Sequence, residues 1–199
     1  MSTPGLDCDL STARLGSGGF ADVYEGTYNF HGLSEPAPVA VKVFKNAQGP
    51  AIRKQIADEV RIGARVQCVN CVRLFGVAEL PDKGPAVVME LACGGSLRDL
   101  LDDREDAPCL PWALRIKWLQ HVAEGMAALH AVRPRPIVHR DLKAANVLLS
   151  STDMEQAREN TPFVVVACIL PILSPDLAYS SAVPCTVQPY LVADTVSYL

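Results

Sequence analysis

Asp141, Lys143 and Asn146 stand together in Ile137-Val138-His139-Arg140-Asp141-Leu142-Lys143-Ala144-Ala145-Asn146-Val147-Leu148-Leu149. An aspartate can accept a hydroxyl proton, a lysine can meet a phosphate oxygen and an asparagine can ligate a hard cation. One tight loop therefore offers the parts of phosphoryl transfer. Apolar runs bound the loop on either side, Ile137-Val138 before it and Val147-Leu148-Leu149 after it.

Such a loop needs a phosphate cradle and a second cation. Leu15-Gly16-Ser17-Gly18-Gly19-Phe20-Ala21-Asp22-Val23-Tyr24 is a glycine-rich turn leading into a β-branched, aromatic strand start. Glycines let backbone N–H groups approach phosphate oxygens without an intervening side chain. The spacing also fits a dinucleotide-binding turn, but that motif should open a helix. Here a strand follows instead, then a break at Pro36 and Pro38, then Val39-Ala40-Val41-Lys42. Lys42 lies in an apolar strand, where an unpaired ammonium is costly, so a partner is expected. Ile52, Ile56, Val60, Gly63 and Val66 recur at helical spacing, and Glu59 sits on that helix between Ile56 and Val60. Asp58 and Glu25 are competing partners.

Residues 12–92 otherwise read as short strands separated by Gly, Pro and Asn breaks. Ala86-Val87-Val88-Met89-Glu90-Leu91-Ala92-Cys93-Gly94-Gly95-Ser96-Leu97 is a strand running through a Gly-Gly turn, with Ser96 placed to cap a short helix through Leu101. Trp112, Ile116, Leu119, Val122, Met126 and Leu129 form the apolar stripe expected of a longer helix, which Pro134 and Pro136 end.

Taken together these segments resemble the eukaryotic protein kinases, most closely the tyrosine-kinase-like group of serine/threonine kinases. The resemblance covers about Leu10 to Leu149 and, with the strand start Pro162-Phe163-Val164-Val165, reaches Val165. It implies an α+β, protein-kinase-like fold: a β-rich N-lobe with one helix over 12–92, and an incomplete helical C-lobe over 93–165, after a 1–11 extension. It also implies ATP and Mg2+ as cofactors and a protein substrate with a Ser or Thr acceptor.

By that resemblance Leu15 to Ala21 form the lid over the phosphates, with Ala21 in place of the third glycine. Lys42 contacts the α- and β-phosphates and pairs with Glu59. Val23 and Ala40 pack on the adenine ring, and Met89 guards the back of its pocket. The Glu90 carbonyl and the Ala92 N–H make the adenine hydrogen bonds. Asp141 is the proton acceptor, Lys143 the γ-phosphate contact of serine/threonine-type loops, and Asn146 one magnesium ligand. His139 is expected to pack and hydrogen-bond within the loop.

One part of the pattern is missing: no Asp-Phe-Gly occurs in the 199 residues. After Val165 the chain runs Val166-Ala167-Cys168-Ile169-Leu170-Pro171, and Asp153, Glu155 and Glu159 are not followed by Phe-Gly. Every Lys and Arg lies at or before Arg158, and five prolines divide the residues from Asn160 onward. We expect 166–199 to be a non-homologous, poorly ordered tail arising from altered splicing or a shifted frame; a Pro-punctuated loop region is the alternative. Activity is then expected to be impaired, the alternatives being a pseudokinase-like nucleotide-binding or scaffolding module and a non-functional truncated product.

A net charge of -4 gives no reason to expect a nucleic-acid partner. Seven cysteines, odd in number and scattered, suit reduced thiols in the cytoplasm or nucleus. Cys68-Val69-Asn70-Cys71 has metal-knuckle spacing but no second pair. The longest apolar stretch, Phe163 to Leu173, contains a proline and falls short of the roughly 20 residues a spanning helix needs. No membrane span is expected, and oligomeric state is not legible.

Overall fold

The computed structural model describes residues 5–8, 14–19, 21–45, 49–80, 83–102, 110–151 and 164–166, the side chains of residues 59 and 164–166 excepted. The expected tail from Ala167 onward, the acidic residues Asp153, Glu155 and Glu159, and Phe20 lie outside the described residues.

Strands β1 (Leu6–Asp7), β2 (Arg14–Ser17), β3 (Ala21–Tyr28), β4 (Ala37–Phe44), β5 (Leu74–Leu80) and β6 (Gly84–Glu90) form one antiparallel sheet. Its order is β1-β3-β4-β6-β5, with β2 also on β3. Strand β4 shows how alternation divides the core. Val39, Val41 and Val43 join Ala78, Leu80, Ala86 and Val88 on one face. Ala40 and Phe44 join Val87, Met89 and the helix on the other. Both faces are covered, which is why Val39 to Phe44 read as an almost unbroken apolar run.

Helix α1 (Pro50–Gly63) starts after Gly49, whose φ of 110° favours glycine, with proline in its first turn, where no amide partner is lost. Its predicted stripe is the buried one: Ile56 and Val60 enter the core and Ile52 packs beside them, while Val66 lies past the helix end in a second cluster. Burying a side chain such as Ile56 contributes roughly 1.5–3 kcal/mol.

Helix α2 (Leu97–Asp102) is capped as expected. The Asp99 N–H donates to Ser96 Oγ at 3.2 Å and the Ser96 N–H donates back to Asp99 Oδ2 at 3.1 Å, so two orphan amides are satisfied reciprocally. Helix α3 (Trp112–Ala131) bears out the second half of the predicted stripe, with Leu129 buried and Val122 and Met126 packed beside the cores, and corrects the first half. Its buried residues are Leu114, Trp118, His121, Gly125 and Leu129, whereas Trp112, Ile116 and Leu119 are 77%, 59% and 65% exposed. Apolar residues occur on several sides of this helix, so spacing does not choose a face. The choice is made by partners far away in the chain: Val147 and Leu149 pack with Leu114 and Trp118, and Cys71 and Ile137 pack with Leu129.

Strands β7 (Val147–Leu149) and β8 (Val164–Val166) form an antiparallel pair, so the expected strand start near Val165 is present. The architecture is thus α+β: a β-rich lobe with one helix, followed by helices and a short hairpin.

Candidate active site

The loop carrying Asp141 is suspended between α3 and β7. The Ile137 N–H donates to the Leu129 carbonyl at 3.0 Å, and Ile137 is buried against Leu129 and Cys71. His139 is 2% exposed, and the Asp141 N–H approaches both its carbonyl, at 2.8 Å, and its Nδ1, at 3.3 Å. The imidazole thus braces the loop backbone. Arg140 adopts φ 61°, a left-handed conformation that costs a non-glycine residue roughly 1–2 kcal/mol and turns the chain sharply before Asp141.

Three predicted residues then converge. Lys143 Nζ lies 2.9 Å from Asp141 Oδ2, and Asn146 Nδ2 donates to the same oxygen at 2.9 Å and to the Asp141 carbonyl at 2.7 Å. A 3-10 turn, Ala144–Asn146, makes this closure possible. The Lys143 hydrogen bond first, and the Asn146 amide second, hold the Asp141 carboxyl below the ordinary carboxylate range, so it is ionised at neutral pH. The Asp141 and Lys143 side chains are each 57% exposed, which leaves both reachable by an incoming group. With Nδ2 engaged, Asn146 presents its Oδ1 acceptor, the donor type a hard cation takes.

The glycine turn lies between β2 and β3, closed by the Gly18 N–H donating to the Ala21 carbonyl at 2.9 Å. A Cβ at Gly16 or Gly19 would meet nothing within 4 Å, and neither residue has a left-handed φ. Packing and backbone therefore do not demand glycine there, and the open space suits a bulky anionic group approaching the amides. Leu15 at its start is 51% exposed. A feature sequence reading missed steadies the turn: Lys45 Nζ lies 3.2 Å from Asp22 and donates to Ser17 Oγ at 3.3 Å. The Ser17 hydrogen bond, followed by the Lys45 contacts, lowers the Asp22 pKa against the opposing effect of burial.

Register brings the remaining predicted residues together. Val23 stands opposite Lys42, and Ala40 opposite Met89. Val23, Ala40, Met89 and Ala92 share one apolar cluster. Lys42 is 9% exposed, with its ammonium 5.2 Å from the centre of the Phe44 ring, a cation–π contact. Glu59 is on α1, but its side chain lies outside the described residues. Of its competitors, Asp58 pairs with Arg61 at 3.3 Å, and Glu25 is exposed opposite Ala40.

The segment after Met89 docks the two halves of the site. The Glu90 N–H donates to the Arg73 carbonyl at 2.9 Å, and Glu90 Oε2 accepts the Arg73 N–H at 3.1 Å. The Gly94 N–H donates to the Leu149 carbonyl, and the Leu149 N–H to the Gly95 carbonyl, each at 2.9 Å. A Cβ on Gly94 would lie 2.3 Å from the Ser151 carbonyl oxygen, so only glycine fits that approach. Alternation along β7 sends Val147 and Leu149 to the helical core and Leu148 to the cluster of Ala40 and Met89. Leu148 is a second residue missed from sequence. It places that cluster two residues from Asn146, and a period-two reading of Val147-Leu148-Leu149 was its available signal.

Comparison with known proteins agrees with this arrangement. A family model described as protein tyrosine and serine/threonine kinase matches residues 11–158. U-box domain-containing protein 34 of Arabidopsis thaliana is 35% identical over 136 residues, covering 68% of this chain and 16% of the relative. The receptor-like cytosolic serine/threonine-protein kinase RBK1 of the same plant is 37% identical over 138 residues, covering 68% and 28%. The melanoma receptor tyrosine-protein kinase of Xiphophorus maculatus is 35% identical over 137 residues, covering 69% and 11%. The chain thus spans less than a third of the length of these relatives. With the matched residues running from the glycine turn through the Asp141 loop and beyond β7, this chain belongs to the protein tyrosine and serine/threonine kinase family.

Proposed function

We propose that the domain formed by residues 12–92 and 93–165 transfers the γ-phosphoryl group of ATP to serine or threonine hydroxyls of protein substrates in signalling, and that this chain does so weakly. The observation that carries the reading is the ionised Asp141 carboxylate, bonded to Lys143 and Asn146 within two residues of the apolar cluster of Ala40, Met89 and Leu148. In this reading Val23, Ala40 and Met89 hold the adenine, with the Glu90 carbonyl and the Ala92 N–H fixing its edge. The glycine turn from Leu15 through Ala21 covers the phosphates, and Lys42, held by Glu59, meets them. Asn146 holds one magnesium ion. When bound, magnesium neutralises charge on the β- and γ-phosphate oxygens.

Asp141 Oδ2 is the atom that orients the acceptor hydroxyl and takes its proton, and Lys143 beside it compensates negative charge developing near the transferred group. Lys143 also supports a serine or threonine acceptor, as does the likeness to RBK1, a serine/threonine-protein kinase. That relative and the odd number of scattered cysteines support a cytoplasmic setting.

A second reading has its own support. No Asp-Phe-Gly occurs in the sequence, so the family's second magnesium ligand has no counterpart, and the chain would then hold nucleotide without transferring phosphate. Incubating the purified chain with labelled ATP, magnesium and serine, threonine or tyrosine peptides separates the two. Slow labelling of serine or threonine is expected, reduced a further 10²–10⁴-fold by Asp141→Asn. Labelling unchanged in that variant would remove Asp141 from the chemistry, and tyrosine-only labelling would overturn the acceptor assignment. An ATP-dependent melting shift without any labelling would establish the second reading.

A further inference from the structure

The motif left unused by the active site is Cys68-Val69-Asn70-Cys71, in the segment joining α1 to β5. The Cys71 N–H donates to the Cys68 carbonyl at 3.0 Å, closing a four-residue turn. Such a turn holds its end Cα atoms within about 7 Å, and a disulfide spans about 4.4–6.8 Å between Cα atoms. The side chains lie close enough to act on one another, Cys71 being among the groups that raise the Cys68 thiol. Neither cysteine is in a disulfide. Among the described residues no group of three His, Cys, Asp or Glu is assembled that could hold a metal ion, which leaves a dithiol.

The environment of the pair is asymmetric. Cys68 is half-buried and reachable, whereas Cys71 is 4% exposed and packs with Leu129 and Ile137. The Cys71 thiol donates to the carbonyl of Gly125 on α3 at 3.5 Å. It is a direct bond from the segment after α1 to the helix from which the Asp141 loop is suspended.

We propose that Cys68 and Cys71 form a redox-active pair that a hydroperoxide closes to a disulfide in the folded chain. Cys68 sulfur attacks the peroxide, giving a sulfenic acid and releasing the other oxygen as an alcohol, or as water when the oxidant is hydrogen peroxide; Cys71 sulfur then displaces water from the sulfenic acid and forms the S–S bond. Two thiols are oxidised and one peroxide is reduced. The reaction consumes the Cys71 thiol hydrogen, so the bond to Gly125 is lost and the segment is released from α3. Burial pushes the Cys68 thiol up, with Cys71 and Glu124 of α3 adding to it against the Asn70 backbone hydrogen bond. Little thiolate is therefore present at neutral pH, and closure quickens as the pH is raised.

The inference does not depend on phosphate transfer, and its test reads no activity. Arg65 and Arg73 flank the pair, so trypsin releases residues 66–73 with both cysteines and no others. The full chain is treated with hydrogen peroxide below its melting temperature, alkylated, digested and weighed. The expected product is peptide 66–73 lacking two hydrogens and bearing no alkyl group, restored to a doubly alkylated form by prior dithiothreitol. In Cys68→Ser the closed form disappears and Cys71 stays open to alkylation after unfolding. Two alkylated cysteines after peroxide, a sulfinic acid on Cys68 beside an alkylated Cys71, or a bond from either to Cys93 would each overturn the proposal.

Discussion

His121 illustrates how little of a residue's behaviour its identity specifies. It lies on the buried face of α3, 8% exposed, and its Nδ1 has no hydrogen-bond partner among the described residues. Burial pushes its pKa down, Glu124 opposes that shift and Lys117 adds to it. The unfolded chain therefore takes up a proton more readily than the folded one as pH falls below the ordinary histidine value of about 6.5. Stability is intact above that value and declines as pH drops toward the lower folded pKa, each unit of depression costing about 1.4 kcal/mol. Thermal melts of wild type and His121→Gln between about pH 7.5 and 5.5 should diverge, with the wild type falling faster; parallel curves would remove His121 as the cause. Asp141 is the opposite case. Its role as a proton acceptor is suggested by its neighbours in sequence, and those same neighbours, Lys143 and Asn146, are its hydrogen-bond partners in the fold.

Helix α3 tests how a helix selects a face. Leu114 is buried with Trp118, Val147 and Leu149, while Leu119 is 65% exposed although it is equally apolar. Leu114→Ala should lower the unfolding free energy by about 2–5 kcal/mol, through lost burial and a residual cavity. Leu119→Gln should change it by no more than about 0.5 kcal/mol. Urea titration of both variants decides between the observed face and the stripe expected from spacing, because that stripe predicts the reverse order. By contrast, α1 follows its stripe: Ile56 and Val60 meet the sheet, and the polar residues between them do not compete for that face.

Two junctions make the described parts one folded unit. At one, Leu148 of β7 enters the cluster of Ala40 and Met89, and Gly94 and Gly95 bond to Leu149. At the other, Cys71 meets Leu129 and Ile137. A ligand seated on the first junction binds only the folded chain. ATP with magnesium at a hundredfold excess over Kd should therefore add about 2.7 kcal/mol, roughly 5–10 °C in Tm for a chain of this size. Scanning fluorimetry with no shift at saturating nucleotide would contradict nucleotide binding at that cluster. Much of this arrangement is legible beforehand. The loop from His139 to Asn146 is contiguous, so its spacing already specifies its internal bonds, and the strands and α1 follow from local periodicity. Contacts between distant segments are not encoded that way: the buried face of α3, the entry of Leu148 into the sheet-side cluster, and the bridge from Lys45 to Asp22 and Ser17. Family, element order and the position of the candidate chemistry thus rest on the order of residues alone. Which apolar side chains face one another, and how the Asp141 loop is held against the sheet, depended on tertiary packing, because burial rewards whichever surface meets a partner and the chain order does not name that partner.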